Sequence, residues 1–199
     1  MFDLNFNRAE LKIAEALQLL SSSDHDHLFS SPLLALDVGA APGGWTGHLA
    51  SLDLCPVSVI AVDPGTLDPQ LLGLKNIKHL ACKAELVSGG GGEVLRQEAE
   101  TLVGGGWRRM LRLLVCDANL DIRDTLRELV LPLTHHLTTG DVVILTLKLG
   151  RRVGVEGVVR KEKSARDMLT DAGFSEDSIK FEWLFGNSKN ERTIFARKL

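Results

Sequence analysis

Short apolar runs alternate with stretches of helical spacing along most of the chain. An amphipathic helix is predicted over residues 8–20. The apolar run at 33–38 ends in Asp37-Val38-Gly39 and passes into Pro42-Gly43-Gly44, the pattern of a strand entering a glycine loop. Residues 45–54 then read as a helix and 57–62 as a buried strand ending at Asp63-Pro64-Gly65. Further strands are predicted at 77–82, at 110–116 (ending at Asp117) and at 141–147. Residues 122–137 and 158–172 have helical spacing, the second closed by Gly173 as a C-terminal cap. The last two apolar segments, 179–184 and 192–196, are joined across Gly186-Asn187-Ser188 and predict an antiparallel hairpin.

Continuous apolar strands separated by helices imply an α/β fold, a mostly parallel sheet covered on both faces. Segments 21–26, 89–92 and 104–106 read as loops. Asp24-His25-Asp26-His27 has a metal-like composition, but it follows a serine run and reads as a solvated connection, so no metal is expected. No internal repeat is visible. The chain is expected to form one domain over 1–199, with an N-terminal helix and loop at 1–30 ahead of the core at 31–199.

Composition narrows the class. The 199 residues are 44% hydrophobic and 25% charged, which excludes a mainly disordered chain. No run reaches the roughly 18 apolar residues of a membrane span. The start, MFDLNFNRAELK, lacks a basic-then-apolar signal pattern, so an intracellular, cytoplasmic protein is expected, with nucleus or organelle left open. Cys55, Cys82 and Cys116 lack CxxC spacing and read as reduced core thiols. Net charge is −3, but residues 148–199 carry 12 Lys/Arg against 8 Asp/Glu. Arg151, Arg152, Arg160, Lys161, Lys163 and Arg166, and again Lys189, Arg192, Arg197 and Lys198, suggest a basic face able to hold a polyanion. With no tyrosine and 5% aromatics, stacking platforms for bases are expected to be scarce.

The glycine loop carries the most chemistry. Gly39-Ala40-Ala41-Pro42-Gly43-Gly44-Trp45 opens a helix, so backbone amides can face a ligand closely. Asp63 ends the next strand 24 residues after Gly39, where a carboxylate can accept from ribose hydroxyls. The spacing is neither GxGxxG nor that of a phosphate loop with its lysine. A nucleoside cofactor without phosphates, such as S-adenosylmethionine, suits it.

Asp37-Val38-Gly39-Ala40-Ala41-Pro42-Gly43-Gly44-Trp45-Thr46 closely resembles motif I of the FtsJ/RrmJ-like RNA ribose 2′-O-methyltransferases. The similarity extends across nearly the whole chain. Arg8-Ala9-Glu10-Leu11-Lys12 resembles that family's N-terminal Arg-x-x-x-Lys helix, and Leu114-Val115-Cys116-Asp117 its motif IV strand. Leu145-Thr146-Leu147-Lys148 is similar to the strand with the catalytic lysine, and Ser188-Lys189-Asn190-Glu191-Arg192 to the segment that delivers a glutamate. Val62-Asp63-Pro64-Gly65 looks nearest to the RlmM branch, which acts on large-subunit ribosomal RNA and carries an RNA-binding domain ahead of its catalytic core; this chain is expected to lack one. The resemblance implies a Rossmann-like class I S-adenosylmethionine-dependent methyltransferase with a seven-stranded mixed sheet.

It also implies a Lys-Asp-Lys-Glu catalytic set of Lys12, Asp117, Lys148 and Glu191. A ribose hydroxyl must lose its proton to become a good nucleophile, and a lysine can accept it only in its neutral form. Lys148 is therefore expected to act as base or oxyanion stabiliser, with Lys12 and Glu191 positioning the hydroxyl and tuning Lys148, and Asp117 orienting Lys148 and touching the cofactor side. The cofactor is expected on Gly39, Ala40, Ala41, Pro42, Gly43, Gly44, Trp45, Asp63, Ala84 and Asp117, and RNA on Arg8, Arg151 and Arg152. The family's adenine-contacting carboxylate is replaced here by Lys83 in Cys82-Lys83-Ala84, leaving the Ala84 amide for that contact and Glu85 as a candidate substitute. Two alternatives stay open: methylation of a messenger RNA cap, and a catalytically silent cofactor-binding subunit that stabilises a partner in a larger complex. A protein partner that supplies RNA specificity is left open as well.

Overall fold

The computed structural model describes residues 8–89, 92–150 and 153–199. Its strands are β1 (Leu33–Val38), β2 (Val57–Val62), β3 (Ile77–Leu80), β4 (Leu111–Cys116), β5 (Val142–Lys148), β6 (Lys180–Glu182) and β7 (Glu191–Arg197). They form one mixed sheet in the order β3-β2-β1-β4-β5-β7-β6, the first five parallel and β7 antiparallel to both its neighbours.

The helices are α1 (Arg8–Gln18), α2 (Ser22–Phe29), α3 (Gly44–Ala50), α4 (Pro69–Leu72), α5 (Ala84–Ser88), α6 (Glu93–Val103), α7 (Trp107–Met110), α8 (Ile122–Asp124) and α9 (Val155–Asp171). Strand side chains alternate between two cores. Leu33 and Ala35 meet Ile13, Leu17, Leu28, Phe29 and Leu49 from α1–α3. Leu34, Leu36 and Val38 share the other core with Leu95, Leu126 and Leu169. With helices on both faces, β1 is buried at all six positions, which is why it is apolar throughout apart from Asp37.

Several elements differ from the sequence expectation. The Asp24–His27 stretch lies in α2 rather than in a solvated loop. Ser21 caps that helix by accepting from the Asp24 amide at 3.2 Å. Its polar residues go to separate partners, Asp24 to Arg197 at 3.1 Å and His27 to Asp141 at 3.0 Å. Among the described residues no cluster of three metal-ligating side chains occurs. Helix α3 stops at Ala50, four residues early. The 122–137 segment begins as α8, widens into a π-type turn over Thr125–Val130 and tightens into 3₁₀ geometry over Leu131–His136, where Pro132 has no amide hydrogen to continue the wider ladder. No described helix is long and apolar enough to cross a membrane.

The strand order reverses at β1, which sits between β2 and β4, so the loops after β1 and β4 diverge and leave a crevice at the carboxyl edge. Gly39 lies there with φ +75°, and a Cβ on it would fall 2.9 Å from Cβ of Ala118. Close passage of the two loops thus requires glycine.

Candidate active site

The glycine loop is fastened to the ends of β1 and β2. The Gly39 amide donates to the Val62 carbonyl at 2.9 Å, and the Asp68 amide to the Pro42 carbonyl at 2.8 Å. The Asp63 carboxylate accepts from the Ala41 amide at 3.2 Å and the Gly65 amide at 2.6 Å, which fixes it beside the loop at the end of β2. Gly43 has φ +116°, and a Cβ there would lie 2.3 Å from Cδ1 of Leu71. Gly39, Ala40, Ala41, Pro42, Gly43 and Gly44 therefore form a tightly folded rim over β1. Ala84 opens α5 just beyond β3, with Lys83 and Glu85 both exposed beside it.

Trp45 follows Gly44 in the first turn of α3. Its side chain turns away from the rim into the core with Ile13 and Leu49, because Trp45 and Leu49 share the inner face of α3. Its indole nitrogen has no partner among the described residues, and Nζ of Lys12 lies 6.0 Å from the ring centroid. Trp45 is thus the floor beneath Lys12.

Lys12, Asp117, Lys148 and Glu191 come from α1, the end of β4, the end of β5 and the start of β7, and the structure gathers all four. Lys12 Nζ lies 2.5 Å from Asp117 Oδ2 and 3.7 Å from Glu191 Oε2. Lys148 Nζ lies 3.1 Å from Asp117 Oδ1 and 2.8 Å from Glu191 Oε1. The result is a square of alternating charge in which each carboxylate bridges both ammonium groups. Register builds half of it, since Lys148 and Glu191 are directly opposed in the β5–β7 ladder. The Ser188 amide adds a bond to Glu191 Oε2 at 3.0 Å.

Burial alone would push the Glu191 carboxyl up, but Lys148, the Ser188 amide and Lys12 outweigh it and hold the group down at about 2. Burial likewise pushes Lys148 down, yet Asp117 and Glu191 prevail and raise it above an ordinary lysine. The resting site therefore holds Lys148 as an ammonium, the form that stabilises an oxyanion; acting as a base would need its neutral form. Four charges taken partly out of water add little stability for their desolvation cost, which points to a chemical role for the square.

Beneath the loop, Asp37 is buried in β1 and accepts from the Thr46 hydroxyl at 2.6 Å. Burial raises its carboxyl, the Thr46 hydrogen bonds pull it back, and Asp117 and Asp63 raise it further, leaving it at about 7. A lone acid within an otherwise apolar strand was the sequence signal for this group, and it went unused.

The family model for FtsJ-like methyltransferases matches residues 6–182 of the chain. The chain belongs to the FtsJ-like methyltransferase family. Ribosomal RNA large subunit methyltransferase M of an Azoarcus species is 40% identical over 75 residues, covering 37% of this chain and 20% of the relative. The chain thus matches about a fifth of the length of that curated relative. Among solved structures, a Lactococcus lactis protein described as a hemolysin superposes with TM-score 0.69 at 18% identity, covering 99% of this chain and 90% of the other. Aeropyrum pernix fibrillarin, solved with natively bound S-adenosylmethionine, gives 0.59 at 17% identity over 96% and 76%. These two likenesses show the fold, and with the family match they make it the class I methyltransferase sheet.

The match to the FtsJ-like family ends short of Glu191, so the place of that residue rests on the β5–β7 register. Gly186 is a neighbour of the square that the sequence did not reveal. A Cβ on it would fall 2.5 Å from Cγ and 2.8 Å from N of Lys12, so the loop before β7 can lie against α1 only as glycine. Arg8 is exposed at the start of α1, its guanidinium 3.4 Å from the Gly186 carbonyl. Arg151 and Arg152 lie outside the described residues. Within the expected basic face, Lys161 pairs with Asp121, Lys163 with Asp167 and Arg197 with Asp24.

Proposed function

We propose that this chain transfers a methyl group from S-adenosylmethionine to a ribose 2′-hydroxyl of RNA, with ribosomal RNA as the substrate class. The observation that carries the reading is the charge square of Lys12, Asp117, Lys148 and Glu191 beside the glycine rim.

The crevice suits the cofactor chemically. The residues that would hold it are Gly39, Ala40, Ala41, Pro42, Gly43, Gly44 and Trp45 through their backbone, with Asp63 for the ribose, the Ala84 amide for the base and Asp117 on the inner side. Asp63 is already oriented by two amides and keeps lone pairs for hydroxyl donors. The cofactor would supply an activated methyl group on a sulfonium.

The chain must then hold a hydroxyl oxygen in line and manage its proton. Lys148 faces the hydroxyl: as an ammonium it stabilises negative charge developing on the oxygen, and in its neutral form it takes the proton. It can do so only when a further cation nearby offsets Asp117 and Glu191 and restores its neutral form. Lys12 and Glu191 fix the position of Lys148, and Asp117 joins it to the crevice.

The test is incorporation of labelled methyl groups from S-adenosylmethionine into ribosomal RNA, a capped oligonucleotide and an uncapped one. Labelling of ribosomal RNA is expected. Preference for the capped oligonucleotide would replace the substrate class, and absence of labelling in all three would overturn the reading.

A further inference from the structure

Phe185 and Trp183 are 89% and 53% exposed, while Leu184 between them is fully buried. Both belong to the loop from β6 to β7, and that loop is firmly held. The Phe185 amide donates to Glu15 Oε2 at 2.8 Å, Gly186 lies against α1, and the buried Asn187 amide group bonds Thr193 Oγ1 at 3.3 Å. The Trp183 indole nitrogen donates to the Ser188 carbonyl at 3.4 Å, which orients the ring. Two large apolar side chains on a rigid loop are thus displayed to water, an arrangement that marks contact surfaces.

The position of the rings narrows the occupant. Gly186 touches Lys12 and Ser188 touches Glu191, so the loop forms one rim of the charge square. Arg8 and Lys189, both exposed, flank it and suit phosphates. The ring centroids are 6.3 Å apart with planes inclined at 56°, which rules out a parallel sandwich but leaves a corner. A flat ring can stack on one face of the corner while the other closes its edge.

We infer that Trp183 and Phe185 form a stacking platform for an unpaired nucleobase of the RNA substrate, next to the nucleotide whose ribose enters the square. The inference rests on the RNA reading above and deepens it. A base must be free of its helix to stack on an aromatic side chain, so the substrate presents a single-stranded or bulged segment at this point. Every base has a π-face, so the platform tolerates sequence. Aromatics are few in the chain, and two of them stand at this rim.

Trp45 and Trp107 are 3% and 4% exposed, so Trp183 is the accessible fluorophore among the three tryptophans. A single-stranded oligoribonucleotide should quench its emission in the wild-type chain, and Trp183→Phe should bind equally well without that signal. Trp183→Ala, Phe185→Ala and Phe185→Leu should each weaken binding roughly 5- to 150-fold, the value of one stacked base. S-adenosylmethionine affinity and melting temperature should stay unchanged. Phe185→Leu binding RNA like wild type would overturn the platform, since leucine keeps the apolar surface and lacks the π-face. Alanine variants that bind RNA normally but no longer self-associate in sedimentation would assign the rings to a second copy of the chain. A wild-type chain that binds no RNA would refute the RNA reading, and the platform with it.

Discussion

Lys148 and Glu191 oppose one another in the β5–β7 ladder, and their charged ends meet 2.8 Å apart at its open end. The pairing places the amine on a rigid element, as proton transfer requires, and also holds its proton more tightly. A rate limited by neutral Lys148 should therefore rise with pH through the neutral and mildly alkaline range. Glu191→Gln removes one of the carboxylates that raise Lys148, so the profile should move to lower pH even as the maximal rate falls. A pH–rate profile unmoved by this variant would show that another group titrates.

Asp63→Ala should weaken S-adenosylmethionine binding by about 1.5–3 kcal/mol if the carboxylate accepts from the ribose hydroxyls. The same change releases the amides of Ala41 and Gly65, which bond different carboxylate oxygens, so Asp63→Asn, which keeps one of the two acceptors, is the necessary companion. Calorimetric titration should find both weakened, the asparagine variant with a smaller loss of melting temperature than the alanine variant. Unaltered affinity in both variants would remove Asp63 from the cofactor site.

Asp37 gives a stability prediction with a defined sign. Its carboxyl is raised from 3.8 to about 7 in the folded chain, so between these values the native state holds a proton that the unfolded state has lost. Stability should fall as pH rises through that window, by at most about 1.4 kcal/mol per pH unit from this group. Glu191 acts oppositely: held at about 2, it contributes stability above its ordinary range that is lost as pH falls toward 2. Chemical denaturation from pH 4 to 8 should therefore be flatter for Asp37→Asn than for wild type, and identical slopes would contradict the burial assigned to Asp37.

Gly186→Ala would press a methyl group onto backbone atoms of α1, 2.8 Å from the Lys12 nitrogen and 2.9 Å from the Arg8 carbonyl oxygen. The chain should lose about 1–3 kcal/mol of stability, and turnover should drop because Lys12 moves relative to Asp117. Cofactor affinity, set across the crevice on the β1–β2 side, should hold. Full activity in this variant would show that Lys12 does not need its present position.

The sheet was legible because strands buried on both faces are predominantly apolar, and β1, β2, β4 and β5 are each such runs, interrupted only by Asp37, Ser58, Arg112, and Thr146 with the terminal Lys148. Helix α2 was misread because a serine-rich stretch resembles a loop, although Ser21 and Asp24 spell out an N-cap. Helix α6 buries only Leu95 and Ala99, too few to give a periodic signal. The charge square was legible through motif resemblance alone. Nothing in the spacing of Lys12, Asp117, Lys148 and Glu191 requires them to meet; the strand order and the β5–β7 register do. The aromatic corner was hidden because apolar residues at a strand end read as core, and only the depth of Leu184 between them reveals that Trp183 and Phe185 face outward.

The most direct measurement follows labelled methyl groups from S-adenosylmethionine into RNA and identifies the modified nucleoside after complete digestion. Wild-type protein should yield ribose 2′-O-methyl nucleosides. Lys148→Ala should yield none while binding the cofactor within a few-fold of wild type, as expected for an interaction made mainly in the transition state. Lys148→Arg should fail as well, since a guanidinium does not accept the hydroxyl proton. Label on a base in place of ribose, or undiminished 2′-O-methylation by Lys148→Ala, would contradict the assignment of the square as the site of transfer.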